Sequence, residues 1–263
     1  MTRTAFAAAG LGFALLLTAC GSDDGGSSDT TTSSSSMWTT PEVPKIDLSR
    51  FGALPAVPLS ASSKVDCSYI PDERAAKPVQ LPAQAGVPTD GTVALTLTTN
   101  QGPIGLTLDR AKAPCTTNAL VSLTEQGYFD GTPCHRISTS PPLQILQCGD
   151  PTGTGAGGPG YRYANEYPTT AYAASDPALD QALVYPRGTV AMAHSQMPDS
   201  NGSQFFLVYS DSALPPQYTV LGTIDESGLA TIEKIATAGD DGSSSAGGGA
   251  PNTPVTIETA KVA

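Results

Sequence analysis

Basic residues are scarce in this chain. Its 263 residues include 13 Lys and Arg against 24 Asp and Glu, which gives a formal net charge of −11. A surface that binds nucleic acid needs clustered lysines and arginines to neutralise phosphates, and the sequence contains no such cluster. The same acidity opposes docking onto anionic lipid headgroups. We therefore expect no nucleic-acid partner and no membrane attachment that depends on surface charge.

Histidine is also scarce, and the usual metal-binding spacings are missing. The two histidines, His135 and His194, are far apart in the sequence, and no Cys-x-x-Cys pair occurs. Structural zinc sites use closely spaced Cys and His ligands. Cys134 directly precedes His135, but adjacent side chains of a strand point to opposite faces, which disfavours a Cys–His nucleophile. We predict no metal and no cofactor.

A nucleotide-binding signature is incomplete. Residues 153–158 match the spacing G-x-G-x-x-G, but phosphate binding by that pattern requires a helix directly after the glycines. Pro159 and Gly160 follow instead, without helical periodicity. We interpret the stretch as a glycine-rich loop.

The apolar run at the N-terminus is too short to span a bilayer. It covers thirteen residues, 5–17, whereas a membrane-spanning helix needs about 20. Arg3 precedes the run, and Leu17-Thr18-Ala19-Cys20 ends it in a pattern that resembles a bacterial lipobox. We predict a lipoprotein signal peptide over 1–19 and a lipid on Cys20 that anchors the protein at the outer face of the cytoplasmic membrane. An ordinary secretory signal is the alternative.

Two segments of biased composition follow the predicted signal. Eighteen of the twenty residues 21–40 are Gly, Ser, Thr or Asp, and such a segment cannot bury enough apolar surface to become ordered. We predict a lipidated Cys and disordered tether over 20–40. A Pro/Ala-rich extended arm is predicted over 41–90, and one folded domain over 91–263.

The remaining cysteines favour disulfides. With Cys20 lipidated, an even number is left in an exported domain, and this predicts two disulfides with three possible pairings. Metal binding is the weaker alternative. The four candidates are Cys67, Cys115, Cys134 and Cys148.

The folded domain is predicted to be rich in strands. Residues 92–98 and 104–108 alternate apolar and smaller side chains around a turn, which is typical of a hairpin. Pro114 favours the start of a helix and Gly127 its end. Further strands are predicted at 135–137, 145–148, 189–193, 204–208, 219–224 and 255–259, with a second helix capped by Ser227. About eight strands and two helices fit an antiparallel barrel, although a sandwich has similar signals.

Four short motifs carry a family resemblance. In chain order they are Cys134-His135-Arg136-Ile137, Gln147-Cys148-Gly149-Asp150, Gly188-Thr189-Val190-Ala191-Met192-Ala193 and Asn201-Gly202-Ser203-Gln204-Phe205-Phe206. Together they resemble the cyclophilins, the barrel-shaped peptidyl-prolyl cis-trans isomerases. The resemblance covers residues 91–259. It implies a closed eight-stranded antiparallel β-barrel capped by two α-helices.

The resemblance also implies the roles of individual side chains. Arg136 becomes the catalytic cation, His135 its neighbour in the groove, and Gln147 the residue that orients the arginine. The implied substrate-binding residues are Leu143, Ile145, Ala193, His194, Gln204, Phe206, Leu214 and Tyr218. Phe206 would form the proline pocket. Gln147 and Gln204 lie in short apolar strands, where an amide needs hydrogen-bond partners, so an arginine with two glutamine partners is typical of a prepared polar site.

These observations predict an isomerase of X-Pro bonds in exported proteins. Its partners would be proline-containing unfolded or extended polypeptides, and it would work as a monomer at the cell envelope. Two alternatives use the same chain differently. One is a peptide-binding or chaperone module with little turnover, and the other is a cell-surface lipoprotein in which the arm forms an interface.

Overall fold

The computed structural model describes residues 46–72, 75–195, 197 and 199–263. These residues belong to one compact unit. The predicted signal peptide at 1–19, the lipidation site Cys20 and the tether at 20–40 lie outside the described residues. In the described ranges, no helix is long and apolar enough to cross a membrane.

The described chain is mainly β with two α-helices, as the sequence predicted. The helices are α1 (Pro114–Glu125) and α2 (Glu226–Ala236). The strands are β1 (Gly52–Ala53), β2 (Lys64–Val65), β3 (Ile70–Pro71), β4 (Val87–Pro88), β5 (Thr92–Thr99), β6 (Gly102–Asp109), β7 (Thr132–Pro133), β8 (Arg136–Ser138), β9 (Ile145–Cys148), β10 (Tyr161–Arg162), β11 (Leu183–Tyr185), β12 (Thr189–Met192), β13 (Phe205–Val208), β14 (Ser212–Leu214), β15 (Val220–Ile224) and β16 (Thr256–Val262). Short 3₁₀ helices lie at Leu48–Arg50, Thr169–Ala171 and Pro177–Asp180.

Nine strands form one large antiparallel sheet. Their order is β7-β16-β5-β6-β15-β12-β13-β9-β8. The sequence predicted eight strands for the barrel. This sheet contains nine, because residues 132–138 form two separate strands. β7 pairs with β16 at one edge of the sheet, whereas β8 pairs with β9 at the other. β7 and β8 follow each other in the chain but therefore lie at opposite edges of the sheet.

The first hairpin follows from its alternating pattern. β5 and β6 pair from Thr92 opposite Asp109 to Thr99 opposite Gly102. Residues along β5 alternate strictly between exposed and buried, as expected for a strand with one face on the core. The hairpin packs against α2, whose buried residues include Leu229.

The two helices begin with different caps. Ala113 gives α1 no side-chain cap. Instead the Glu166 carboxylate, from a distant loop, accepts from the Cys115 N–H at 3.0 Å and the Thr116 N–H at 2.8 Å. α2 is capped by Asp225, which accepts from the Gly228 N–H at 2.6 Å. The predicted cap, Ser227, was wrong because Asp225 is the residue placed to reach the third N–H of the helix.

The arm, described from residue 46 to 90 except for 73 and 74, lies along the domain. β1 pairs in parallel with β11, and β3 pairs with β10. β2 and β4 pair with each other within the arm. These pairings attach the arm to the domain at two separate places.

Two disulfides link the four predicted cysteines. Cys67 of the arm is bonded to Cys115 at the start of α1. Cys134, just before β8, is bonded to Cys148 at the end of β9. The second disulfide therefore ties β9, which carries Gln147, to the chain two residues before Arg136.

Candidate active site

A polar row crosses one end of the large sheet. Arg136 of β8 stands opposite Gln147 of β9. The Arg136 Nη1 group donates to Gln147 Oε1 at 3.0 Å, and Gln147 Nε2 donates to Gln204 Oε1 at 3.0 Å. Gln204 lies one residue before β13, rather than within the strand as predicted. The structure thus brings the arginine and both glutamines together in a single chain of hydrogen bonds.

Backbone carbonyls hold the other side of the guanidinium. Arg136 Nε donates to the Gly247 carbonyl oxygen at 2.9 Å, and Nη2 donates to that of Ala246 at 2.6 Å. Burial lowers the pKa of Arg136 from its ordinary value, yet a guanidinium remains protonated in proteins. The site therefore presents a fixed cation whose orientation is set from two sides.

The carbonyls belong to the 243–250 loop, which docks on the free edge of β8. Ile137 donates its N–H to the Gly249 carbonyl oxygen at 2.8 Å, and the Gly249 N–H donates back to Ile137 at 2.9 Å. Gly248 has a φ of 70°, and a Cβ there would collide with the Ile137 carbonyl oxygen. Only glycine lets the loop approach β8 this closely.

An open cavity of about 730 Å³ lies beside Arg136. Its apolar walls contain six of the residues assigned to substrate binding. These are Leu143, Ile145, Ala193, Phe206, Leu214 and Tyr218. His135, Gln147 and His194 also line it. Gln204 instead lines an adjoining cavity of about 380 Å³, whose rim includes Asp72 of the arm.

Aromatic contacts fix one wall of the larger cavity. The rings of His194 and Tyr218 stack with centroids 4.6 Å apart. Tyr218 also meets Phe206 edge to face, with centroids 5.7 Å apart. Because both geometries are favourable for aromatic pairs, the three rings form a preformed wall for an apolar ligand.

His135 lines the same cavity as Arg136 and contacts the glycine-rich loop. Its imidazole lies beside the glycine-rich loop, 3.4 Å from the position a Cβ would take at Gly155. Burial lowers the pKa of His135, which favours the neutral imidazole. His135 thus lines the cavity beside the charged Arg136, as the resemblance implies, with its pKa shifted toward the neutral form.

Asp150 organises the glycine-rich loop that follows it. Its buried carboxylate accepts from the backbone N–H groups of Thr152 at 2.7 Å, Gly155 at 2.8 Å and Gly157 at 3.0 Å. The Gly155 and Gly157 carbonyls in turn accept from Gln204 Nε2 at 2.9 and 3.0 Å. The polar row thus ends on a loop that Asp150 holds in place.

Replacing Asp150 by asparagine is expected to lower the free energy of unfolding at neutral pH by about 1–3 kcal/mol, because a buried acceptor of several hydrogen bonds is lost. Burial alone would raise the pKa of Asp150, but the hydrogen bonds from Thr152, Gly157 and Gly155 outweigh it and lower the pKa. Its stabilising effect is therefore present above the unfolded-state pKa, about 3.9, and is lost as pH falls through the folded-state value.

Urea unfolding of wild type and Asp150→Asn between pH 7 and pH 2.5 measures this effect. The difference in the free energy of unfolding between wild type and Asp150→Asn should become smaller as the pH falls. Asp176→Asn is a matched control, since within the described residues that carboxylate accepts a single backbone N–H, from Ala178 in a 3₁₀ helix that has no buried residue. If the stability difference between wild type and Asp150→Asn is the same at every pH from 7 to 2.5, the stabilising role of the ionised Asp150 carboxylate is contradicted.

The comparisons with known proteins decide the family. The family model "Cyclophilin type peptidyl-prolyl cis-trans isomerase/CLD" matches residues 94–262, well over half of the chain. The chain belongs to the cyclophilin family. The match begins within β5 and ends within β16, so it leaves the arm of this cyclophilin outside.

Relatives of this cyclophilin include bacterial proteins of similar sequence. It is 54% identical over 208 residues to "Probable peptidyl-prolyl cis-trans isomerase B" of Mycobacterium tuberculosis, a match that covers 78% of this chain and 66% of the relative. It is also 54% identical over 211 residues to the protein of that name in Mycobacterium leprae, covering 80% of this chain and 70% of the relative. The chain therefore spans about two thirds of the length of these relatives.

A solved structure shares the fold. The crystal structure of a Cryptosporidium parvum cyclophilin type peptidyl-prolyl cis-trans isomerase superposes with a TM-score of 0.52 at 26% identity. The match covers 66% of this chain and 98% of that chain.

Sequence reasoning missed the backbone groups that hold the site of this cyclophilin. The carbonyls of Ala246 and Gly247 bind Arg136, and those of Gly155 and Gly157 bind Gln204. All four lie in glycine-rich segments, and main-chain acceptors leave no side-chain signature. The glycines themselves were the available signal, since a close backbone approach often requires them.

Proposed function

We propose that this protein catalyses cis-trans isomerisation of X-Pro bonds in extended polypeptides. The proline ring sits in the apolar cavity, and Arg136 faces the twisting amide from its rim. The observation that carries the proposal is the fixed guanidinium, bonded to Gln147 on one side and to the 243–250 loop on the other, beside a wall formed by Phe206 and Tyr218. One chain supplies the whole site, so a monomer suffices.

The reaction requires no covalent step. Resonance holds the prolyl amide planar with a barrier of about 18–20 kcal/mol, and exchange takes tens to hundreds of seconds. In the twisted transition state the nitrogen lone pair is no longer delocalised. A positioned N–H donor can bind that lone pair, or the altered carbonyl, only when the resonance is lost. Such selective stabilisation lowers the barrier.

Arg136 retains donors for this role. Arginine carries five N–H groups, and three of its donor contacts are used, to Gln147, Ala246 and Gly247. About two N–H groups, on the terminal nitrogens, therefore remain for a substrate. The internal contacts fix the orientation of the guanidinium before substrate arrives, and this reduces the reorganisation needed in the transition state.

The proline-binding role has support from a related structure. A Cryptosporidium parvum cyclophilin solved in the presence of the dipeptide Ala-Pro superposes with a TM-score of 0.51 at 27% identity. Ala-Pro is therefore a suitable first probe of the cavity. NMR exchange spectroscopy on an Ala-Pro peptide should show faster cis-trans exchange with catalytic amounts of this protein. Binding of the peptide without faster exchange would instead identify a peptide-binding module.

Delivery to the outer face of the cytoplasmic membrane is part of the proposal. It rests on the lipobox-like sequence ending at Cys20, and the two disulfides support an oxidising compartment. Its clients there are proline-containing exported polypeptides. Cys20→Ser should move the protein from the membrane fraction to the soluble fraction of a bacterial host. A variant that stays with the membranes would rule out the lipid anchor.

Closure of the large sheet into an eight-stranded barrel completes the proposal. The Cys134 N–H, between β7 and β8, donates to the Val255 carbonyl oxygen at 2.9 Å, and Ile137 bridges Gly249. These contacts support treating β7 and β8 as one interrupted strand that meets β16 and the loop before it. Strong hydrogen-exchange protection of the Cys134 and Ile137 amides is expected, and rapid exchange of both would argue for an open sheet.

A further inference from the structure

We propose that residues 52–57 of the arm position one wall of the proline cavity and so set the affinity for substrate. This inference rests on the proposed isomerase function. The segment lies outside the residues 94–262 that the family model matches. Its backbone pairs with a strand next to the cavity: Gly52 stands opposite Leu183 and Ala53 opposite Val184, in a parallel pairing of β1 with β11.

The side chains of the segment reach the apolar cluster beneath the cavity. Leu54 and Val57 are half-buried and pack against this cluster, which includes the cavity-lining residues Ile145 and Phe206. The Pro55 carbonyl oxygen accepts from the Tyr167 hydroxyl at 2.7 Å. The segment is thus fastened by strand pairing, by apolar contacts and by a hydrogen bond to a cluster residue.

A continuous set of contacts leads from β11 to the cavity wall. β11 pairs on its other side with β14, where Leu183 stands opposite Leu214. The fully buried Tyr185 of β11 places its hydroxyl 3.0 Å from the carbonyl oxygens of both Pro215 and Tyr218. Leu214 and Tyr218 both line the cavity. The arm therefore supports β11 along the edge opposite β14. β11 in turn positions two residues of the cavity wall, Leu214 and Tyr218.

The elements that orient Arg136 are different from those that support the cavity wall. Arg136 is held by Gln147 and the 243–250 loop, which are different elements from β1 and β11. Loosening the arm should therefore make the wall less well ordered and weaken the hold on the proline ring, while the guanidinium keeps its orientation. Because preorganised pockets bind more tightly, the expected effect is a higher KM with kcat nearly unchanged.

The decisive variant is Leu54→Ser combined with Val57→Ser in the full chain. Its matched control is Leu59→Ser, which removes a leucine from the same arm that is 98% exposed. Tyr167→Phe provides a second, milder variant, since it deletes only the hydroxyl that binds Pro55. We measure kcat and KM for a proline peptide, the Kd for Ala-Pro, and hydrogen exchange of β11 and β14, at a temperature where every variant is fully folded.

The double variant should raise KM and Kd by roughly 5–10-fold, change kcat less than about 2-fold, and speed exchange in β14. Tyr167→Phe should raise KM and Kd by a smaller factor, and Leu59→Ser should match wild type. Wild-type KM and Kd in the double variant would overturn the inference, whether or not β14 exchanges faster, as would equal losses in Leu59→Ser. An inactive wild type would instead disprove the proposed function, and the Kd comparison would still decide the role of the arm.

Discussion

Replacing Arg136 by alanine is expected to reduce kcat/KM for a proline peptide by about 100-fold or more. Removal of one donor that acts in a transition state typically costs 10²–10³ in rate. Arg136 is also the only side chain of the polar row that carries a permanent charge, because its two partners, Gln147 and Gln204, are amides. Far-UV circular dichroism and urea unfolding should show that the variant remains folded.

Two further variants serve as controls for Arg136→Ala. Arg136→Lys keeps the charge but loses the planar fork, so it cannot bond Gln147 and the two loop carbonyls together, and we expect most of the activity to be lost. Arg187→Ala removes another arginine with several contacts, a surface residue bonded to Glu226 and Glu233, and should leave kcat/KM unchanged. Wild-type activity in Arg136→Ala would refute the assignment of the catalytic cation.

Replacing Gly248 by alanine is expected to lower kcat/KM by about 10–100-fold although residue 248 lies outside the apolar walls of the cavity. The added Cβ would collide with the Ile137 carbonyl oxygen, so the 243–250 loop must move away from β8. The Ala246 and Gly247 carbonyls would then no longer orient Arg136. A catalytic group that is misplaced by about 1 Å can lose on the order of 100-fold in rate.

Gly242→Ala is the matched control for backbone strain. Gly242 has a φ of 67° and Gly248 a φ of 70°, but a Cβ at Gly242 would meet nothing within 4 Å. Both variants therefore share the conformational cost of alanine at positive φ, of order 1 kcal/mol. Stopped-flow or NMR exchange kinetics should show a loss for Gly248→Ala only. Equal kinetics in the two variants would mean that the loop does not orient Arg136.

The regular parts of the fold were predictable from local pattern. The hairpin of β5 and β6 follows from strict alternation, since residues such as Leu95 and Leu106 are buried on one face. The start of α1 at Pro114 follows from the tolerance of proline for the first helical turn. The cap of α2 was misplaced by two residues because Asp225 and Ser227 are both good caps, and only the backbone geometry selects between them.

The site was predictable in its side chains and not in its supports. The resemblance named Arg136, Gln147 and Phe206, and the structure places them together. The disulfide pairing depends on tertiary distances, so the sequence left three possibilities. Strands of two or three residues, such as β1 and β14, are too short to show any periodicity. The support of the wall by the arm was therefore invisible until the chain was folded.

The most direct test of the role of Arg136 is the exchange between the cis and trans forms of a bound Ala-Pro peptide, measured by NMR on wild type and on Arg136→Ala at saturating protein. If the guanidinium acts on the twisted amide, the variant should still bind the peptide through the cavity wall of Phe206 and Tyr218. Its exchange rate on the protein should be about 100-fold lower or more. Bound peptide that exchanges equally fast on both proteins would contradict that role.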